Sequence, residues 1–244
     1  MGRSLQQLYF NYLYMPLYDL TTAQLGPYKR LQQECLSKLL LNETDSLLCV
    51  GVGTGCELIM LLEDHPDVNI KAVDMTPKAL QRAQSKTRKL GKSVRLLEMD
   101  AHKLEFEDAS FDAVVCIHVM GFLENDRQAT AEIRRVLKPQ GEYVITYPSG
   151  AGGWGVAREI GKDIWSDLKQ ARFFSALRQY LAMVAGGIVY LPGASWVKPN
   201  PGFYTRESLI KMLSNAGLTD CRIEHNYAYQ DFVVYGNKHN ERRG

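Results

Sequence analysis

The feature that most limits what this chain can fold into is the segment SLLCVGVGTGCELIML, residues 46–61. A short apolar run ends in glycines at alternate positions, Gly51, Gly53 and Gly55, and passes directly into a stretch of helical composition. Strand, tight turn and helix are predicted. Glycines allow positive φ and close backbone approach, while the free N–H groups of a helix start face whatever binds there. The turn is the first candidate for ligand contact.

The alternation repeats along the chain. Asn69–Val73 reads as a strand, Pro77–Leu90 as a helix that starts on proline and stops at Gly91, and Val94–Glu98 as a third strand. Phe111–Ile117 is a buried strand, Asp126–Leu137 a helix stopped near Pro139 and Gly141, and Glu142–Tyr147 a fifth strand. This is the rhythm of a parallel sheet with helical crossovers. Upstream, Tyr28–Leu41 sets Leu31, Cys35, Leu36, Leu39 and Leu40 at helical spacing. Downstream, Thr205 can cap a helix running to Asn215 and ended by Gly217. Two strands follow, Asp220–Glu224 and Gln230–Tyr235, joined too closely for a crossover and so expected to pair antiparallel.

Residues 148–203 break the rhythm with a turn, GAGGWG, and helical composition from Val156 to Ala185. With 244 residues, 45% of them hydrophobic, the chain is expected to form one domain, 1–244. Within it, 1–41 is an aromatic and helical cover and 148–203 a lid or substrate insertion. Tyr9, Tyr12, Tyr14 and Tyr18 in the first, and Trp154, Trp165, Phe173, Phe174, Tyr180, Met183 and Trp196 in the second, either pack a layer of their own or line an apolar pocket.

Lys+Arg 29 against Asp+Glu 27 leaves no whole-molecule field for nucleic acid, and Lys78, Arg82, Lys86, Arg88 and Lys89 read as a solvated helix face. Five cysteines without a CxxC pair read as free thiols in a reducing compartment, and no Cys/His cluster has metal-ligand spacing. The N-terminus has no signal-peptide core. The longest apolar run, 181–191, falls short of the roughly 20 residues of a spanning helix, so a cytoplasmic protein without a transmembrane segment is expected. LAMVAGGIVYLPGASW fits a peripheral lipid contact or a buried lid helix.

Two acids follow the strands. Asp74, about 20 residues past the glycine turn, can accept both ribose hydroxyls of a nucleoside lying across the sheet; capping the next helix is its other use, for which Thr76 competes. Asp100 follows the third strand and can accept an adenine amine or serve only as a turn residue.

Four ordered blocks, LLCVGVGTG, KAVDMTPKAL, MDAHKLEFEDASFDAVVC and IRRVLKPQGEYVI, resemble the class I S-adenosylmethionine-dependent methyltransferases, in particular the quinone-biosynthesis branch. The resemblance covers about residues 45–147 and 203–236. It implies an α/β fold with a Rossmann-like, seven-stranded, mostly parallel sheet, helices on both faces, a C-terminal antiparallel hairpin and a helical lid insertion. It implies S-adenosyl-L-methionine as cofactor, contacted by Tyr18, Cys49, Gly51, Gly53, Gly55, Asp74, Met75, Asp100, Ala101, Ile117 and His118. The glycine turn would hold its amino-acid part, Asp74 its ribose and Asp100 its adenine.

The chain departs from the family twice. Cys49 stands where the family has an acid that meets the cofactor's amine, and Gly121 and Phe122 replace its usual histidines. The expected activity is methyl transfer to O, N, C or S of a small, apolar or aromatic organic molecule. Alignment and water exclusion supply much of such a rate, so a base is optional; His118 is the candidate, with structural packing as its other reading. A non-catalytic cofactor-binding regulator shares the cofactor face, and an NAD-dependent oxidoreductase shares the first turn and Asp74. Cys56 at the third-glycine position of a dinucleotide fingerprint, Asp100 and the terminal hairpin argue against the oxidoreductase. A protein or RNA substrate is disfavoured by the balanced charge.

Overall fold

β1 (Ser46–Val50) has no polar side to show to water: Leu47, Leu48, Cys49 and Val50 are all at most 2% exposed. A continuous apolar strand needs cover on both faces, which only a central position in a layered sheet supplies. The computed structural model, which describes residues 8–149, 152–194 and 203–238, puts β1 there. It pairs in parallel with β2 (Asn69–Asp74) on one side and β4 (Phe111–Cys116) on the other. With β3 (Arg95–Glu98), β5 (Leu137–Pro148), β6 (Arg222–Asn226) and β7 (Asp231–Asn237) the seven-stranded order is β3-β2-β1-β4-β5-β7-β6, and β7 runs antiparallel to both neighbours.

The helices are α1 (Met15–Tyr18), α2 (Gly26–Leu36), α3 (Cys56–Asp64), α4 (Pro77–Lys89), α5 (Asp126–Val136), α6 (Gly152–Lys169), α7 (Phe173–Ala194) and α8 (Arg206–Asn215). Alternation along β1 sorts the core into two layers: Leu47 and Cys49 pack with α2 and α3, Leu48 and Val50 with α5 and α8. Thr205 caps α8 as expected, accepting from the Ser208 N–H at 3.2 Å.

Several boundaries differ from the sequence expectation, beginning with the upstream helix expected over Tyr28–Leu41, which spans Gly26–Leu36. The helix expected to reach Leu137 ends at Val136, and β5 begins five residues before Glu142. Leu137 pairs with Phe111, and a register shift with Gln140 at φ 64° takes up the extra residues, which lets Pro139 sit in a strand. The hairpin's first strand starts at Arg222 rather than Asp220. The helical stretch 156–185 is two helices with a turn between them. Ala171 adopts φ 55° and the Arg172 N–H donates to Asp167 O at 2.8 Å, a helix stop normally made with glycine. Alanine there left no stop signal in the sequence.

The N-terminal segment forms a π-helical turn, Phe10–Tyr14, then α1, and lays a chain of tyrosines over the first layer. Tyr9 to Tyr14, Tyr14 to Tyr18 and Tyr18 to Tyr28 follow one another at ring separations of 6.0, 5.7 and 6.1 Å. The α6–α7 pair rests on this segment: Tyr9 OH donates to Val189 O at 2.6 Å, and Arg30 pairs with Asp163 at 2.9 Å.

Candidate active site

A cavity of about 370 Å³ opens at the carboxyl ends of β1 to β4, where the crossover loops of a parallel sheet diverge. Its floor is the glycine turn, and each glycine there has its own requirement. Gly51 adopts φ 69°, and a Cβ on it would lie 2.3 Å from Val119 Cγ2. Gly53 adopts φ 53° and donates its N–H to Asp74 Oδ2 at 2.8 Å. Gly55 lies outside the cavity wall: it starts α3 in the left-handed region, and a Cβ there would touch Ala83 Cβ at 3.0 Å. Its lack of a side chain lets α3 pack closely on α4.

Asp74 is 9% exposed, with Oδ1 taking the Thr76 N–H at 2.7 Å. Burial pushes its carboxyl up, while the two backbone N–H groups pull it back. Thr76 holds the cap position of α4 without a side-chain bond to the helix backbone, and Asp74 bridges the glycine turn and the helix start. Met75, the next residue along the wall, is 52% exposed.

The β3 end supplies Asp100 and Ala101, together with His102, which the sequence reading had passed over. Asn125 donates its N–H to His102 Nε2 at 3.2 Å, so the ring proton sits on Nδ1 and points at Asp100 Oδ1, 2.7 Å away. The β4 end supplies Ile117 and His118. His118 adopts φ 57°, and its N–H donates to Thr146 Oγ1 at 2.7 Å. Its ring packs edge-on against Tyr28, Phe122 and Tyr229, with Nε2 3.3 Å from Tyr229 OH and Nδ1 3.6 Å from Asp231 Oδ2. Asp231 comes from β7, far away in sequence and 6% exposed.

Cys49 does not reach the cavity. At 1% exposure it faces the core layer under α2 and α3, because alternation along β1 turns it away from the turn, and burial pushes its thiol up. On the wall instead is Glu57, two residues past Gly55 in the first turn of α3. Its Oε2 accepts from Gln32 Nε2 at 3.1 Å, and burial raises its carboxyl from 4.5 to about 7.

The cover comes from Tyr14, Met15, Tyr18 and Tyr28. It is latched to the floor by Asp19, whose Oδ1 accepts from Thr54 Oγ1 at 2.6 Å and from Lys86 Nζ at 2.7 Å. Lys86 therefore belongs to the site's rim rather than to a purely solvated face. Among the described residues, 152–194 contribute nothing to the wall, and Trp165, Phe173, Phe174 and Tyr180 are exposed. The Trp154 side chain and Trp196 lie outside the described residues.

The profile of the methyltransferase domain matches residues 48–145. Demethylmenaquinone methyltransferase of Deinococcus radiodurans is 30% identical over 222 residues, covering 88% of this chain and 85% of the relative. The chain belongs to the class I S-adenosylmethionine-dependent methyltransferases. Demethylmenaquinone methyltransferase of Thermus thermophilus is 28% identical over 212 residues, covering 84% and 89%. A solved structure from Methanococcus maripaludis, described as an S-adenosyl-L-methionine-dependent methyltransferase, shares the fold over 100% of both chains, with TM-score 0.63 and 16% identity.

This methyltransferase uses S-adenosyl-L-methionine and transfers a methyl group to a small molecule. Its residues fit that cofactor on three local counts. The cradle at Gly51 would be filled by a Cβ, Gly53 likewise puts no side chain into the turn, and Asp74 and Glu57 set carboxylates beside it. No helix among the described residues is long and apolar enough to cross a membrane.

Proposed function

We propose that the methyltransferase acts on an apolar, aromatic small molecule of the reduced-quinone type, methylating a ring carbon. The observation that carries the reading is the cavity lining, where Tyr14, Tyr18, Tyr28, Phe122 and Leu123 give an apolar, largely aromatic wall and the His118 ring packs edge-on against Tyr28 and Phe122. Two relatives matched over most of their length are named for demethylmenaquinone, a substrate of that kind.

S-Adenosyl-L-methionine, when bound, supplies a methyl group on a positively charged sulfur. Of the residues lining the cavity, Gly51 and Gly53 would leave room for its amino-acid part, Asp74 would accept from its ribose, Asp100 and Ala101 would border its adenine, and Met75, Ile117 and Tyr18 would close around it. The tyrosine cover excludes water and aligns the acceptor, which is most of what a displacement at carbon requires. His118 takes the proton that the acceptor releases. Nδ1 lies 3.6 Å from Asp231 Oδ2, and Nε2, 3.3 Å from Tyr229 OH, is the ring atom assigned to accept the proton.

The 1–41 segment is the lid proper, and the 148–203 insertion buttresses it and meets lipid. Along α7, Phe173, Leu177, Tyr180, Leu181, Val184 and Ile188 share one exposed face, while Ala176, Gln179, Ala182 and Val189 are buried on the other. Arg178 is the helix's lone charge, and Lys169, 5.4 Å above the Trp165 ring, and Arg172 flank its start. Arg172 is paired with Asp167 at 2.6 Å, so Lys169 and Arg178 form the basic edge of an apolar stripe that suits an anionic bilayer, where a lipid-soluble substrate resides.

The test is transfer of an isotope-labelled methyl group to a demethylated quinol dispersed in detergent, with phosphatidylethanolamine as the second arm. Label on the quinol ring is expected, with kcat for His118→Gln reduced roughly 10²-fold and cofactor affinity little changed. Label on the lipid amine alone would replace the quinol with a headgroup substrate.

A further inference from the structure

The cofactor carries an ammonium, and the family position that would receive it holds Cys49, a thiol sealed in the core. The acids on the cavity wall can be compared for that task. Asp74 takes the Gly53 and Thr76 N–H groups, one on each oxygen, and its remaining acceptor positions are assigned to the ribose. Asp100 Oδ1 is taken by His102, and Glu124 is exposed beyond β4. Asp19, at the rim, is paired with Lys86.

Glu57 differs from all of them. It is 6% exposed on the wall beside the glycine turn, and it takes one hydrogen bond from the neutral Gln32 amide. None of the ion pairs among the described residues includes it. A carboxylate buried without a cation is costly, and the surrounding structure responds by raising its proton affinity. A ligand cation next to it removes that cost, so the chain has a charge already in position for an ammonium. The first turn of α3 also favours a negative side chain there.

We propose that the Glu57 carboxylate receives the α-ammonium of S-adenosylmethionine, taking the role of the acid that Cys49 displaces, with Gln32 as the positioning residue that orients it. The proposal rests on the assignment of the glycine turn to the amino-acid part of the cofactor.

Calorimetric titration with two nucleosides tests it. S-Adenosylhomocysteine carries the amino-acid part, and 5′-methylthioadenosine lacks it. Glu57→Gln should weaken S-adenosylhomocysteine roughly 10- to 100-fold, the cost of one charged hydrogen-bonded contact, while 5′-methylthioadenosine stays within about twofold of the wild type. Retained 5′-methylthioadenosine binding shows that the variant site is folded. Gln32→Ala should give a smaller loss with the same selectivity. Equal losses for both nucleosides, or no loss for either, would overturn the role of Glu57. A wild-type protein that binds neither nucleoside would overturn the cofactor-site assignment on which it rests.

Discussion

The Gly53 N–H donates to Asp74 Oδ2 at 2.8 Å, joining the turn after β1 to the end of β2 across 21 residues of chain. The same carboxylate takes the Thr76 N–H, so one side chain fixes both the glycine turn and the start of α4. Replacing it disturbs two backbone segments at the cofactor floor together. Asp74→Ala should weaken S-adenosylhomocysteine by at least about 10-fold, with Asp74→Asn intermediate because its amide keeps one acceptor oxygen. Titration calorimetry reads both, and wild-type affinity in the alanine variant would remove Asp74 from the site.

Glu57 makes stability depend on pH with a defined sign. Its carboxyl rises from 4.5 to about 7 in the fold, so the folded state favours the protonated form. That contribution is complete below about pH 4.5 and disappears as pH rises through about 7. Relative to Glu57→Gln, the wild type should lose on the order of 2–3 kcal/mol between pH 4.5 and 8. Urea denaturation of both proteins at the two pH values measures the difference. A gap that does not change with pH would show that Glu57 is not buried in solution as it is here.

The exposed stripe of α7 predicts binding to anionic vesicles. Phe174, 90% exposed at the start of that helix, touches little of the protein, so Phe174→Glu should leave the melting temperature within a few degrees of wild type. Co-sedimentation with phosphatidylglycerol vesicles should fall severalfold in the variant, and activity on a detergent-dispersed quinol should not. A shift in oligomeric state with unchanged vesicle binding would assign the stripe to a second copy of the chain.

The order of strands and helices was legible because each signal is local: apolar runs, a proline at a helix start, glycines at the ends. The α6–α7 turn was not, since Ala171 occupies a left-handed conformation that its residue type does not announce. Of the residues expected around the cofactor, Tyr18, Gly51, Gly53, Asp74, Met75, Asp100, Ala101, Ile117 and His118 all reach one cavity wall. His102 and Glu57 were open to discovery from spacing, one two residues past Asp100 and the other two past Gly55. Asp231 and Tyr229 carried no such signal, because they reach His118 only through the antiparallel insertion of β7 beside β5.

What the sequence by itself determined is the parallel α/β frame and the loops that carry its ligand-facing acids, since hydrophobic periodicity and glycine placement act over a few residues. Tertiary structure alone decided which acid faces the cofactor. Alternation along a buried central strand turns Cys49 into the core, while the first turn of α3 brings Glu57 to the cavity wall. It also decided which aromatics cover the site: the N-terminal tyrosines seal the cavity, and α7 behind them turns its apolar stripe outward. Both outcomes depend on packing between segments far apart in the chain, and no local pattern encodes that.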